Sequence, residues 1–419
     1  MLHLRFVFRS FVAAILIMVA FCTFMILRGK NLTQYRDVHE QESLIGEQPS
    51  RECSCPICFA NRFHNISSTS KGNTVKSFSP TGWSQPQALA SQSHPDPQPR
   101  TKREKRRSLV IFGDDRSGTT FLTRMFSEDS NIFSVYEPLW ITRNWFQTEE
   151  GRDPVKDVND VLSALMSCQF VDNRAAVKFL QSTSKKWAAG LSQNPFQSSP
   201  ICNQSDSGKM SCPDLASLPK IVQNVCLSHF KHSVAKVAIV RVQSRKLSNI
   251  LPHIIYNTSG TEVKLLHVVR DPRGSINSRI NLQWIHDYQE SGFFYLPRDT
   301  CEGILQNVKY GASLEGSLKK HYKLVRYKDI ALSPVKTAME IYKFAGFEMP
   351  ESVLHWIVQS TQPTKEVLKK EAGKEFSTIR NATANVEKWR REAPIERTRI
   401  IEKECSELFD FLGLDRLTT

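Results

Sequence analysis

An uncharged, mostly apolar run extends from Ser10 to Leu27, with Arg5 and Arg9 before it and Arg28 and Lys30 after it. Its 18 residues are close to the length that crosses a bilayer as a helix, with Phe6–Phe8 or slight bilayer thinning making up the rest. A cleaved signal peptide would have a shorter apolar core and a small-x-small exit, and Phe21–Met25 offers no clean one. The pattern therefore predicts a cytosolic tail at 1–9 and a transmembrane signal anchor at 10–27. From 28 to 107 no amphipathic period persists. Gln, Ser, Pro and Asn dominate, as between Ser79 and Pro99, which predicts a disordered stem. The stem ends in Lys102-Arg103-Glu104-Lys105-Arg106-Arg107. One reading is a solvated linker. The other is a basic processing site near Arg106 that would release the rest of the chain.

At Ser108 the pattern changes. Leu109-Val110-Ile111-Phe112 reads as a buried parallel strand, and Phe121, Leu122, Met125 and Phe126 then recur at helical spacing. Further strands are expected at Lys236–Val242, Val263–Val269 and Lys323–Tyr327. Helices are expected at Ser275–Ile285, Pro334–Ala345 and Ile395–Leu412. The last carries an apolar stripe through Ile400, Ile401, Cys405, Leu408, Phe409 and Leu412 that suits a core face. Asn194–Leu218 has loop composition and reads as an insertion that Cys202 and Cys212 would clip. Residues 108–419 thus form the expected α/β catalytic domain, a parallel sheet flanked by helices.

Charge narrows the function. Of a net charge of +14, +8 falls in residues 1–107 and +6 in residues 108–419, so no chain-wide nucleic-acid stripe exists and no nucleic-acid partner is expected. The mild basic bias of the body suits an anionic ligand. Five N-x-Ser/Thr sequons, at Asn31, Asn65, Asn203, Asn257 and Asn381, and ten cysteines point to a lumenal body and a type II orientation. Beyond Cys22 there are nine cysteines, an odd number. Cys53, Cys55 and Cys58 have no second half-site for zinc and suit stem disulfides or a disulfide-linked homodimer.

Two stretches carry anion chemistry. Gly113-Asp114-Asp115-Arg116-Ser117-Gly118-Thr119-Thr120 lies between the first strand and its helix, where backbone N–H groups and the helix dipole cradle a phosphate. The spacing is that of a P-loop, but Thr119-Thr120 replaces the Lys-Ser/Thr pair, which disfavours triphosphate hydrolysis. The second stretch is Arg270-Asp271-Pro272-Arg273-Gly274, at a strand's C-terminal end. Arg270 and Ser278 there would close on one phosphate, or Arg270 would simply pair with Asp271. Glu137, returning to the same sheet edge after the first helix, is the candidate general base, against a structural Glu set by Pro138. His267, inside a strand, suits the core, and His286 is an outside alternative for the base.

Taken in order, Arg116–Leu122, Tyr136-Glu137-Pro138-Leu139, Val268–Arg273, Val325–Asp329, Ser377–Asn381 and Glu387–Arg390 resemble the motifs of the Golgi carbohydrate 6-O-sulfotransferases. The resemblance spans the whole body. It implies the sulfotransferase fold, 3′-phosphoadenosine-5′-phosphosulfate (PAPS) as co-substrate without a metal, and transfer to C6 of galactose, N-acetylgalactosamine or N-acetylglucosamine. The acceptor would be a glycan or proteoglycan chain, and the chain a single-pass Golgi membrane protein. Arg116, Ser117, Gly118, Thr119, Thr120 and Phe121 would bind the 5′-phosphosulfate. Arg270 and Ser278 would take the 3′-phosphate, and Arg380 the nucleotide. Catalysis would rest on Arg116 and Glu137. Three features depart from the expected pattern: the acids Asp114 and Asp115, Lys328 where an acid is expected, and the small continuation Gly274-Ser275. The competing readings are an inactive membrane-tethered glycan-binding protein of the same fold and a lumenal NTP-dependent kinase.

Overall fold

The computed structural model describes residues 105–139, 153–183, 200–204, 210–242, 244–374 and 377–417. The expected tail and anchor, nearly all of the stem, Cys22, Cys53, Cys55, Cys58 and the sequons at Asn31 and Asn65 lie outside the described residues. Among the described residues, no helix is long and apolar enough to cross a membrane.

Among the described residues there are seven strands: β1 (Arg106–Gly113), β2 (Ile132–Tyr136), β3 (Asn203–Gln204), β4 (Met210–Ser211), β5 (His232–Ala238), β6 (Thr261–Val269) and β7 (Tyr322–Arg326). Five of them pair in parallel in the order β2-β5-β1-β6-β7, and β3 with β4 forms a small antiparallel ladder. The alternation in β1 shows why both faces are covered. Leu109 and Ile111 pack into one buried apolar cluster, Val110 and Phe112 into the other. The first cluster is completed by α1 (Thr119–Ser127) and by residues 338–357. The opposite face is covered by α2 (Pro154–Ser167) and α3 (Leu218–His229). Because β1 is central and its neighbours connect to opposite sides, its C-terminal edge is the place where such sheets open a ligand crevice.

The remaining helices used below are α4 (Pro272–Asn281), α5 (Tyr295–Ala312), α6 (Tyr327–Leu332), α7 (Pro334–Ala345), α8 (Glu351–Thr361), α9 (Ala382–Val386), α10 (Ile395–Glu404) and α11 (Ser406–Leu412). Several expectations are corrected. The body begins at Arg106, whose guanidinium donates to Phe230 O and Ser233 Oγ at 2.8 Å each, so a cut after Arg106 would divide β1. The strand expected at Lys236–Val242 starts at His232 and stops at Ala238, where Ile239–Arg241 winds into a 3-10 turn. The helix expected from Ser275 begins at Pro272, because Asp271 caps it by accepting from the Arg273 N–H, and ends at Asn281. The last expected helix is two, broken at Cys405, which pairs with Cys301. The expected Cys202–Cys212 clip is present, with a third disulfide between Cys168 and Cys226.

Candidate functional site

The loop after β1 is shaped by two left-handed residues, Arg116 at φ 61° and Gly118 at φ 98°. Ser117 ties the turn, its N–H at 3.2 Å and its hydroxyl at 2.6 Å from Asp114 O. Gly118 is the N-cap of α1 and makes no side-chain cap; the Phe121 N–H bonds to Gly118 O at 3.1 Å, which leaves the N–H groups of Thr119 and Thr120 at the helix start for a ligand. Only glycine fits there. A Cβ would lie 2.6 Å from Tyr327 Cδ2 in addition to the positive φ. Gly118, Thr119, Thr120 and Phe121 all line one cleft, within which Arg116, Arg270 and Arg380 also lie.

The cationic residues from distant parts of the sequence meet. Arg270 donates to Arg116 O at 2.8 Å, and Arg116 Nε donates to Ser278 Oγ at 3.0 Å. Ser278 is therefore joined to Arg116 and is not among the residues lining the cleft. Arg270 lies 4.3 Å above the Tyr327 ring, whose hydroxyl accepts from Asn385 Nδ2 at 2.6 Å. The alternative pairing of Arg270 with Asp271 does not occur. Asp271 bonds instead to Arg273, which is fully buried between the Trp389 and Phe409 rings and Glu402, a structural anchor of the C-terminal helices. Arg380 is held by its own loop through Ser377 O at 3.1 Å and Lys374 O at 3.3 Å. Burial, and then the charges of Arg380 and Arg270, push the Arg116 pKa down to about 10, and Arg270 is lowered likewise by burial. Like charges gathered this closely are relieved by an anion.

Glu137 faces the same cleft, at φ 42° in the turn after β2. Lys236 forms a buried ion pair with one of its carboxylate oxygens, and Arg241 Nε lies 3.4 Å from the other. Burial alone would raise the Glu137 pKa, but Lys236 and then Arg241 outweigh it and hold the group down to about 2. Glu137 is therefore charged at neutral pH but a weak proton acceptor while both cations stay in place. Lys236 also lies 4.6 Å over the Tyr136 ring, and Tyr136 shares a 3.3 Å hydrogen bond with Thr120, linking this pair to the loop.

The other expected residues sort plainly. His267 is buried, bonded to Tyr322 at 2.9 Å and pushed by burial down to about 3, a core residue as expected. His286 is exposed and pairs with Glu290 at 2.8 Å, away from the cleft. Lys328 is exposed and does not line the cleft. Of the two acids, Asp115 faces the cleft, and burial pushes Asp114 up to about 7 although Arg279 opposes it. Lys236, Arg241, Trp284, Tyr327, Thr378 and Asn385 join the site without having been singled out in the sequence. One signal was legible: Lys236 is the single charge in the apolar run Val234–Val240, and a charge in a buried strand needs a partner or a function.

A doubly phosphorylated adenosine fits these donors. The loop offers a cradle that a Cβ would fill, three arginines converge, and Thr378 Oγ1 is a buried hydroxyl on the cleft wall with no hydrogen-bond partner. Among the described residues, no group of three or more His, Cys, Asp or Glu is arranged to hold a metal ion.

Comparison with known proteins agrees with this chemistry. Residues 106–413 match the family model described as a sulfotransferase domain. Carbohydrate sulfotransferase 3 of Tetronarce californica is 28% identical over 338 residues, covering 74% of this chain and 72% of that protein. Carbohydrate sulfotransferase 1 of Mus musculus is 24% identical over 73% of this chain and 78% of its own length. Among solved structures, the sulfotransferase domain from the Synechococcus PCC 7002 olefin synthase is 15% identical with a TM-score of 0.41, covering 76% of this chain and 99% of its own. Mouse sulfotransferase SULT7A1 complexed with PAP is 11% identical with a TM-score of 0.37, covering 72% and 84%.

Proposed function

The chain belongs to the sulfotransferase domain family, and from that premise we propose that it moves a sulfuryl group from PAPS to a carbohydrate hydroxyl, C6 of galactose, N-acetylgalactosamine or N-acetylglucosamine in a glycan or proteoglycan chain. The observation that carries the donor assignment is the meeting of Arg116, Arg270 and Arg380 around the N-terminus of α1 in a single cleft. The donor supplies the sulfuryl group and a phosphate leaving group. Arg116 and the first-turn N–H groups of α1 hold the anionic end, where charge builds during transfer. Arg270, Arg380 and the Thr378 hydroxyl receive the other phosphate. Ser278 acts through Arg116, fixing its guanidinium. The carbohydrate assignment is supported by the relatives' names.

Glu137 is the group placed to receive the acceptor's proton. Its ion pair keeps it ionised, as a base must be. An anion beside Lys236 would share that cation and raise the proton affinity of Glu137, so the base strengthens with the donor in place. The test is incubation of the purified protein with sulfur-labelled PAPS and a panel of glycans, followed by linkage analysis. Label on C6 of a hexose or hexosamine supports the assignment, and so does its loss in Arg116→Ala and Glu137→Ala proteins that remain folded. Absence of label on every glycan overturns it.

We also propose that residues 10–27 tether the body to the Golgi membrane with 28–107 as a lumenal stem. The disulfides Cys168–Cys226, Cys202–Cys212 and Cys301–Cys405 support an oxidising compartment. Sensitivity of the cellular protein to glycan-removing enzymes, with the N-terminus facing the cytosol, is the expected result.

A further inference from the structure

One carboxylate in the cleft has no structural duty. Asp115 lines the cleft beside Arg116, and its Oδ2 is buried with no hydrogen-bond partner among the described residues. A buried carboxylate oxygen without a donor is costly, so its presence calls for an explanation. The neighbouring cations do not supply one. Lys236 and Arg241 are engaged by Glu137, Arg116 Nε by Ser278, Arg270 by Arg116 O, and Arg380 by its own loop. Helix capping does not either, because the N-cap of α1 is Gly118 and no side chain caps it.

The place of Asp115 is fixed. Asp115 and Arg116 are the two central residues of a turn closed by Ser117, whose N–H and hydroxyl lie 3.2 and 2.6 Å from Asp114 O. Both central side chains line the cleft, and that of Asp114 does not. The turn therefore presents a cation and an anion side by side. The charge of Asp115 is felt by Lys236, the partner of Glu137, as well as by Arg116. It is within electrostatic reach of both the loop that holds the donor and the pair that takes the acceptor's proton.

What can satisfy Oδ2 is narrowly defined: it needs a hydrogen-bond donor. A phosphosulfate beside Arg116 brings only acceptor oxygens and like charge, so it is not that partner. A sugar brings several O–H groups, of which one reacts and the others remain to be held. A hydroxyl donating to a carboxylate makes a charge-assisted hydrogen bond. A sulfate or carboxylate at the same position would instead set two anions together in a poorly screened site, an element of repulsion that sorts substrates.

We infer that Asp115 is a specificity-determining residue of the acceptor site: its unpartnered oxygen accepts a hydrogen bond from a non-reacting hydroxyl of the incoming sugar, and its charge turns away sugars that are anionic at that position. This role rests on the carbohydrate-transfer reading above and deepens it, since it makes the ring that reacts a neutral one.

The test uses the full-length protein, saturating PAPS and a disaccharide of galactose and N-acetylglucosamine. Alongside the parent run derivatives carrying either a methyl ether or a sulfate ester at each further hydroxyl of the labelled ring in turn. The ether matches the added bulk without charge, so the ether-to-sulfate ratio of kcat/KM reads repulsion. At one position the wild type should favour the ether by about thirtyfold. Asp115→Asn should bring that ratio to about threefold and lose about fivefold on the parent, because the amide oxygen still accepts. Asp115→Ala should lose about thirtyfold on the parent, through KM. Both variants should bind adenosine 3′,5′-bisphosphate at least as tightly as the wild type, because an anion has left a cationic site. A wild type that treats ether and sulfate alike at every position, an Asp115→Asn protein that keeps the wild-type ratio, or an Asp115→Ala protein as active as the wild type would each overturn this role. So would weaker bisphosphate binding in both variants, which would make Asp115 a contact of the donor. All of these leave the transfer reading standing. A protein that binds the bisphosphate and labels no glycan refutes the transfer reading, and this role with it.

Discussion

Replacing Lys236 by Met tests the electrostatics at the heart of the site. The Lys236 and Glu137 side chains are 5% and 14% exposed, so their pairing is little screened by solvent. Glu137 is held at about 2 against an ordinary 4.5, with the attraction of Lys236 and Arg241 overcoming the opposing effect of burial. At about 1.4 kcal/mol per pH unit, that difference corresponds to about 3.5 kcal/mol. Because the folded value is depressed, this stability is present above pH 4.5 and is lost as the pH falls toward 2. The figure agrees with the ~3–5 kcal/mol expected when one partner of a buried pair is removed.

In the Lys236→Met protein only Arg241 faces the buried carboxylate, and the Glu137 pKa rises. The sign then reverses. A raised carboxyl pKa lets the folded state bind more protons, so stability returns as the pH is lowered. Urea unfolding at pH 7.5 should show a loss of about 3 kcal/mol, and at pH 5.5 a smaller one. Adding Glu137→Gln should recover part of the loss rather than add to it. A variant within about 0.5 kcal/mol of wild type at pH 7.5, or strict additivity of the two substitutions, would refute the reasoning.

Three further outcomes are expected. Gly118→Ala, which imposes a Cβ 2.6 Å from the Tyr327 ring at φ 98°, should cost about 2–4 kcal/mol by thermal unfolding and raise the donor KM. Removing Cys301–Cys405, which closes a separation of 104 residues, should cost about 4–5 kcal/mol in urea, and removing Cys202–Cys212, at 10 residues, about 3 kcal/mol. Asp114, raised to about 7, is protonated in the folded state between pH 4 and 7 more than in the unfolded one, so stability falls as pH rises through that range. Asp114→Asn should therefore stabilise the protein at pH 8 by about 1–2 kcal/mol and leave it unchanged near pH 4.

The parts of the fold that sequence revealed are those set by local pattern. The apolar run at Leu109, the Gly113–Thr120 loop and the Pro-initiated helix Pro334–Ala345 are all where local chemistry puts them. Boundaries failed where a cap or a break depended on a single side chain. Asp271 starts α4 earlier than the apolar pattern does, and a turn at Ile239 ends β5 before its apolar run ends. In the site, Arg116, Glu137, Arg270 and Arg380 were legible because short motifs carry them. Tyr327 and Thr378 lay inside quoted motifs but were given no role there, and Lys236 and Arg241 were not legible, because their roles come from chain crossings that bring residues far apart in sequence to one sheet edge. Ser278 shows the same limit: its position was expected at a phosphate, and its contact is with Arg116.

The central claim, that one cleft grips both phosphates of a doubly phosphorylated adenosine, is tested most directly by calorimetric titration with adenosine 3′,5′-bisphosphate and with adenosine 5′-monophosphate. The bisphosphate should bind at least a hundredfold more tightly, a difference of about 2.7 kcal/mol, and Arg270→Ala should erase most of it. Equal affinity for the two nucleotides, or a difference that survives in Arg270→Ala, would contradict the account.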